Sequence, residues 1–143
     1  MKGVLNFLFE RFGIEKIPED YVILDRGNIW IASKDVLNVK EKLKFNRIGI
    51  RLVRVFKDGY KLTTPGSQVI GKFAKKNVIN LSSYEDVLKF LSGEDIPGKF
   101  ENIERGQVIV KFQDDILGIA LYDGQKLKNQ IPKSKRIIFK TNS

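Results

Sequence analysis

Residues 106–131, GQVIVKFQDDILGIALYDGQKLKNQI, hold three short runs rich in aliphatic residues, parted by two acid-bearing turns. Each run, GQVIVKF, ILGIALY and QKLKNQI, reads as a strand, and the turns fall at Asp114-Asp115 and Asp123-Gly124. A last strand is predicted over KRIIFK, residues 135–140. Short strands joined by tight turns predict a small barrel.

Working outward from this barrel, SSYEDVLKFLSG (82–93) predicts a helix. A serine cap opens it, Glu85 and Asp86 suit the positive end of its dipole, and Gly93 closes it. VINL before it is a strand, and GEDIPGKFENIERG after it, with Pro97 and three glycines, is loop. Thr63-Thr64-Pro65 starts another helix, with a threonine cap and a proline in the first turn. Upstream, Ile48, Ile50 and Leu52 alternate with Gly49, Arg51 and Val53 as the two faces of a strand, and Asp58-Gly59 turns it into YKLTT. YVILD and IWIAS pair about Arg26-Gly27-Asn28, and Trp30, flanked by Ile29 and Ile31, is expected in the core. Ser33 caps a short helix over KDVLNVKEKL. At the start, Val4, Leu5, Leu8 and Phe12 stand at helical spacing before Gly13. The fold class is therefore α+β in two units without a flexible linker: a mixed α/β part over 1–74 and a β-rich barrel over 75–143.

Composition narrows the chemistry. The chain has no cysteine and no histidine, which removes disulfides, thiolate nucleophiles, the commonest metal ligand and the commonest general base. No enzyme activity, no metal and no cofactor are expected. Asp114 and Asp115, adjacent acids between strands, are turn formers. One methionine and 30% charged residues resemble thermophile composition. Glu10 and Arg11 interrupt the first apolar stretch, no small-residue cleavage site follows, and runs such as Ile137 to Phe139 are far too short to span a bilayer. The expectation is a soluble, cytoplasmic protein with no membrane partner.

The net charge of +9 is unevenly spread. Residues 40–76 hold eleven Lys/Arg against two Asp/Glu, and 123–143 hold six against one, while 1–39 and 77–122 are net acidic. Segregated positive charge is what tracking phosphates requires, because affinity for nucleic acid grows with the number of phosphates neutralised together. If the two blocks meet, they form one basic face.

Several segments in order carry a resemblance. Arg47-Ile48-Gly49, Lys57-Asp58-Gly59-Tyr60, Leu91-Ser92-Gly93-Glu94, Leu127-Lys128-Asn129, Pro132-Lys133 and Arg136, together with Gly118, resemble the C-terminal region of the RsmF-like RNA 5-methylcytosine methyltransferases. The resemblance covers roughly Lys44 to Arg136. It implies a small pre-PUA unit followed by a PUA domain, a pseudo-barrel RNA-binding module. It also implies RNA contact by the loop after the barrel's first helix, here Ser92, Gly93, Glu94 and Asp95, and by neighbouring strands. Those enzymes attack cytosine with a cysteine and hold the methyl donor in a Rossmann-like domain; this chain has no cysteine and no glycine-rich turn of that type. No methyl-transfer residue carries over.

The candidate RNA-binding residues are Arg47, Arg51, Lys57, Lys61, Ser92, Gly93, Glu94, Lys126, Lys128, Asn129, Lys133, Lys135 and Arg136. Gly93 ends a helix and also lets a phosphate or sugar approach bare backbone. Glu94 and Asp95 would accept from base amino groups or ribose hydroxyls. Pro132 ends a strand and displays the flanking basic side chains on a bend, with Arg136 able to fork onto a phosphate. The alternative is a strand edge guarded by lysines. Trp30 and Tyr60 could stack on bases. The expected partner is ribosomal or transfer RNA, bound without catalysis in RNA maturation. The rival is an adaptor subunit that lends RNA binding to a separate RNA-modifying enzyme.

Overall fold

The computed structural model describes residues 2–34 and 49–137. The chain divides into two compact units, Met1–Lys75 and Lys76–Ser143.

In the first unit, helix α1 (Lys2–Phe12) buries Val4, Leu8 and Phe12, which four-residue spacing brings to one face. Leu5, expected among them, is 43% exposed, because one step from Val4 rotates it well off that face. Gly13, at φ 66°, closes the helix by donating its N–H to the Phe9 carbonyl at 2.8 Å. Strands β1 (Tyr21–Arg26), β2 (Asn28–Ser33), β3 (Ile50–Phe56) and β4 (Gly59–Leu62) follow as an antiparallel meander in that order. The predicted helix over 34–43, Ile48 and the candidate Arg47 fall in or run into 35–48, outside the described residues.

β3 departs from the simple alternation. Leu52 and Val53 are both fully buried while Ile50 is 40% exposed. The cause is a bulge: pairing steps from Ile29–Val53 to Trp30–Arg51, so two residues advance on β3 for one on β2 and Leu52 is the extra one. The Leu52 carbonyl accepts the Thr63 N–H at 3.0 Å, and the Thr63 hydroxyl lies against the carbonyls of Arg51 and Leu52. The same hydroxyl accepts the Gly66 N–H at 2.9 Å and caps helix α2 (Thr64–Ile70), as the Thr-Thr-Pro signal predicts. A β-carbon at Gly66 would lie 2.6 Å from the Leu52 carbonyl oxygen, so only glycine lets α2 seat on the bulge. A 3-10 turn, Gly71–Phe73, continues α2.

The second unit runs β5 (Val78–Asn80), α3 (Tyr84–Leu91), β6 (Ile96–Pro97), β7 (Gly106–Phe112), β8 (Asp115–Tyr122), β9 (Lys126–Asn129) and a 3-10 turn, Lys133–Lys135. The sheet order is β5-β7-β8-β9-β6, with β5 and β7 parallel and the other pairs antiparallel. Since β5 and β6 lie at opposite edges, the connection through α3 must cross the sheet. Ser83 caps α3 by accepting the Asp86 N–H at 3.1 Å. Val87 and Phe90 of the helix share one core with Val108, Val110, Ala120, Tyr122 and Leu127, the inward members of alternating strands. A second bulge places Leu117 as the extra residue between the Val110–Gly118 and Lys111–Ile116 pairs, with Gly118 at φ 152°. Such a bulge bends its strand, and the sheet curls into a half-barrel around α3.

Three expectations shift here. Phe112 pairs with Asp115, so the β7–β8 turn is Gln113-Asp114, one residue earlier than predicted, with Gln113 at φ 54°. The loop over 93–106 contributes β6, whose Ile96 and Pro97 pair with Leu127 and Lys126. In the predicted strand over 135–140, Lys135 ends a 3-10 turn and Arg136 lies outside any strand, and residues 138–140 are outside the described ones. No helix among the described residues is long and apolar enough to cross a membrane.

Candidate nucleic-acid interface

β9 ends at Asn129, three residues before Pro132, and the side chain of Asn129 accounts for this. Its Nδ2 donates to the carbonyls of Phe90 at 2.7 Å and Glu94 at 3.0 Å, and its Oδ1 accepts the Ile131 N–H at 2.9 Å. Its own backbone N–H donates to Asp95 Oδ1 at 2.9 Å. A single amide thus satisfies two carbonyls at the end of α3 while turning the chain out of β9. Asn129 is the joint that holds the 92–95 loop to β9.

The turn that follows folds back on the same loop. Ile137 N–H donates to the Leu91 carbonyl at 2.9 Å, and Arg136 Nε donates to the Ile131 carbonyl at 3.0 Å. Gly93 has φ 97°, and a β-carbon there would overlap the Arg136 side chain. The bare backbone of Gly93 therefore admits Arg136; the approach assigned from sequence to a phosphate is taken by the arginine stem. The Arg136 Nη groups make no hydrogen bond among the described residues, so the half-buried guanidinium presents its outer edge.

The other cations divide into two sets. Lys126 Nζ stands 3.6 Å from Asp95 and Lys128 Nζ 4.0 Å from Asp123, so both are partly neutralised. Lys133 and Lys135 are exposed, on the 3-10 turn, with no acid in ion-pair range among the described residues. Being off any ladder, they have no strand edge to guard. The Ser92 hydroxyl lies 2.9 Å from the Lys89 carbonyl and 3.3 Å from Glu94 Oε2, on the rim of the same surface.

Asp123 anchors the β8–β9 turn. Its Oδ1 accepts the N–H groups of Gln125 and Lys126, each at 2.9 Å. These backbone bonds first, and the Lys128 and Lys126 ammonium groups after them, hold its carboxyl below the usual carboxylate range. A depressed native pKa contributes stability that is present above the unfolded value and lost as pH falls through the folded one. Thermal melts between pH 5 and pH 2 are thus expected to lose less stability in Asp123→Asn than in the parent. Equal losses would refute this role.

In the first unit, the bulge brings Arg51 and Arg54 to the face opposite Ile29, Ile31 and Val53. Trp30 sits on that outer face too, half-buried, because its two isoleucine neighbours are the ones turned inward. Its predicted place in the core is thereby corrected. Arg51 Cζ lies 5.3 Å from the Trp30 ring centroid, and Arg54 Cζ and Lys61 Nζ lie 5.6 and 5.3 Å from that of Phe56. Lys57 is exposed in the β3–β4 turn. Tyr60 faces the other way, its ring 5.6 Å from Phe7 and its hydroxyl against Gly3 of α1. Arg54 and Phe56 were missed from sequence. Their positions two residues apart on β3 signal a shared face, but the bulge that adds Arg51 to it, opposite Trp30 of β2, has no local signature.

The structure therefore gathers Ser92, Gly93, Glu94, Lys126, Asn129, Lys133, Lys135 and Arg136 about one end of the second unit, with Lys128 on β9 beside Asp123 of the neighbouring turn. Arg51, Lys57 and Lys61 belong to the first unit.

A curled five-stranded sheet crossed by one helix, with a loop and a basic turn joined at the helix end, defines a PUA-like domain. Its particular kind follows from comparison: residues 70–137 match the family described as the methyltransferase RsmF PUA domain, and this segment is a PUA domain of that kind. The chain is 31% identical to the ribosomal RNA small subunit methyltransferase F of Aeromonas hydrophila over 85% of its own length and 25% of that enzyme's. It is 34% identical to the protein of the same name from Shewanella halifaxensis over 90% of its length and 26% of the enzyme's. The chain spans about a quarter of the length of the curated relatives it matches.

Proposed function

We propose that this protein is a non-catalytic RNA-binding protein acting in ribosomal or transfer RNA maturation. Residues 1–74 would serve as the pre-PUA domain and 75–143 as the PUA domain. The observation that carries this reading is the joint at Asn129 and Gly93 in a PUA domain of the RsmF kind, which presents Lys133, Lys135 and the outer edge of Arg136 together. Those cations suit phosphates, and the Ser92–Asp95 rim suits base or ribose donors. The lack of any cysteine supports a role without methyl transfer.

Anisotropy titrations with labelled ribosomal and transfer RNA fragments test the proposal. Affinity is expected to fall steeply with salt, because neutralising phosphates releases counterions. Lys133→Ala with Lys135→Ala is expected to lower the salt slope by about two and to weaken all RNAs alike, while thermal stability stays within about 0.5 kcal/mol of the parent. No affinity, or a salt-independent one, would overturn it. The relatives' names favour a second reading, in which the chain supplies RNA contact to a separate modification enzyme. It then binds RNA weakly until that enzyme is added.

A further inference from the structure

The outer face of the first unit's sheet carries cations that oppose one another. Arg54 and Lys61 are direct cross-strand partners between β3 and β4, a like-charge pairing that destabilises a sheet. Neither they nor Arg51 has an acid in ion-pair range among the described residues, and all three are exposed. Each sits over an aromatic ring instead: Arg51 over Trp30, and Arg54 and Lys61 over Phe56, which is itself 40% exposed. At about 3.3 Å per residue along β3, the two rings stand on the order of 15 Å apart with arginines between them. Beside Phe56 an open hollow of about 260 Å³ is lined by Phe56, Asp58, Gly59, Tyr60 and Lys61.

We infer that this face binds a single-stranded RNA segment, stacking unpaired bases on Phe56 and Trp30 and holding the intervening phosphates with Arg51, Arg54 and Lys61. The inference rests on the RNA-binding reading and adds a second contact surface of a different kind. Rings interleaved with cations, one exposed and one half-buried, form a stacking platform, which tolerates any base because every base has a π-face. An incoming phosphate relieves the Arg54–Lys61 repulsion, and Asp58 can accept from a ribose hydroxyl in the hollow. An acidic peptide would answer the charge but leave the ring faces unused.

Trp30 is the chain's one tryptophan, so its fluorescence reports on this face alone. Titrating the full chain with a short oligouridine is expected to quench Trp30 as binding proceeds. Phe56→Leu is expected to weaken oligouridine binding roughly tenfold. Arg54→Gln with Lys61→Gln is expected to lower the salt slope by roughly 1.4, at about 0.7 per phosphate contact on a single strand. Because the two glutamine changes are at exposed positions and remove a like-charge pair, melting at or above the parent's temperature serves as their folding control. If RNA binds with Trp30 emission unchanged and these variants indifferent, while Lys133→Ala and Lys135→Ala weaken it, the inference falls and the proposed function stands. If polyglutamate competes as well as oligouridine without quenching, the face is an acidic-protein site and the inference also falls. Absence of any RNA binding would overturn both.

Discussion

Asn129→Ala is expected to destabilise the second unit by about 1–3 kcal/mol, because the partly buried Ile131 N–H loses its partner and the Phe90 and Glu94 carbonyls each lose a donor. The Phe90 carbonyl keeps the Gly93 N–H at 3.1 Å and the Glu94 carbonyl is exposed, so the Ile131 N–H carries most of the loss. Against a typical domain stability of about 5–15 kcal/mol, such a loss is a large fraction. Asn129→Asp should do no better, since a carboxylate would face two carbonyl oxygens. Gln130, exposed and bonded only to the neighbouring Asn129 carbonyl, gives the control: Gln130→Ala should stay within about 0.5 kcal/mol of the parent. Denaturant midpoints check this, and an Asn129→Ala chain that unfolds with the parent would show that the joint carries no load. Because the same joint holds the 92–95 loop beside the basic turn, RNA affinity should fall with stability.

Gly93→Ala is expected to cost about 2–3 kcal/mol, from two separable sources. One is backbone: φ 97° lies where side-chain-bearing residues are strained. The other is steric, because the new β-carbon displaces Arg136 and breaks its bond to the Ile131 carbonyl. A double-mutant cycle separates them. In an Arg136→Ala background the steric part vanishes and the backbone part remains, so Gly93→Ala should cost less there by about 1 kcal/mol. Strict additivity would mean that Arg136 does not rest on Gly93. The functional readout moves in parallel, since an Arg136 pushed off Gly93 carries the Lys133–Lys135 turn with it.

Local signals account for much of what was legible beforehand. Thr63 and Ser83 cap their helices as read, because a cap is decided by a hydroxyl and an N–H three residues on. Strands β7, β8 and β9 were legible in residues 106–131 from alternation and acid-bearing turns, and the PUA resemblance from segments between Lys44 and Arg136, while the expected small barrel is a curled sheet. The concentration of positive charge in 40–76 and 123–143 follows from composition alone.

What each charged or aromatic residue touches was decided only by the tertiary structure. The β3 bulge reverses the face that strict alternation assigns to Arg51, so it joins Arg54 and Phe56 on the outside, opposite Trp30 of β2. Arg136, read as a phosphate fork, spends its Nε on a carbonyl and its stem on Gly93, and Lys126 and Lys128 meet Asp95 and Asp123. Periodicity and capping report on neighbours within four positions of a residue. The carbonyl partners of Asn129 stand 39 and 35 positions away, and only the pairing of β9 with β6 and the crossing of α3 bring those carbonyls within reach of its amide.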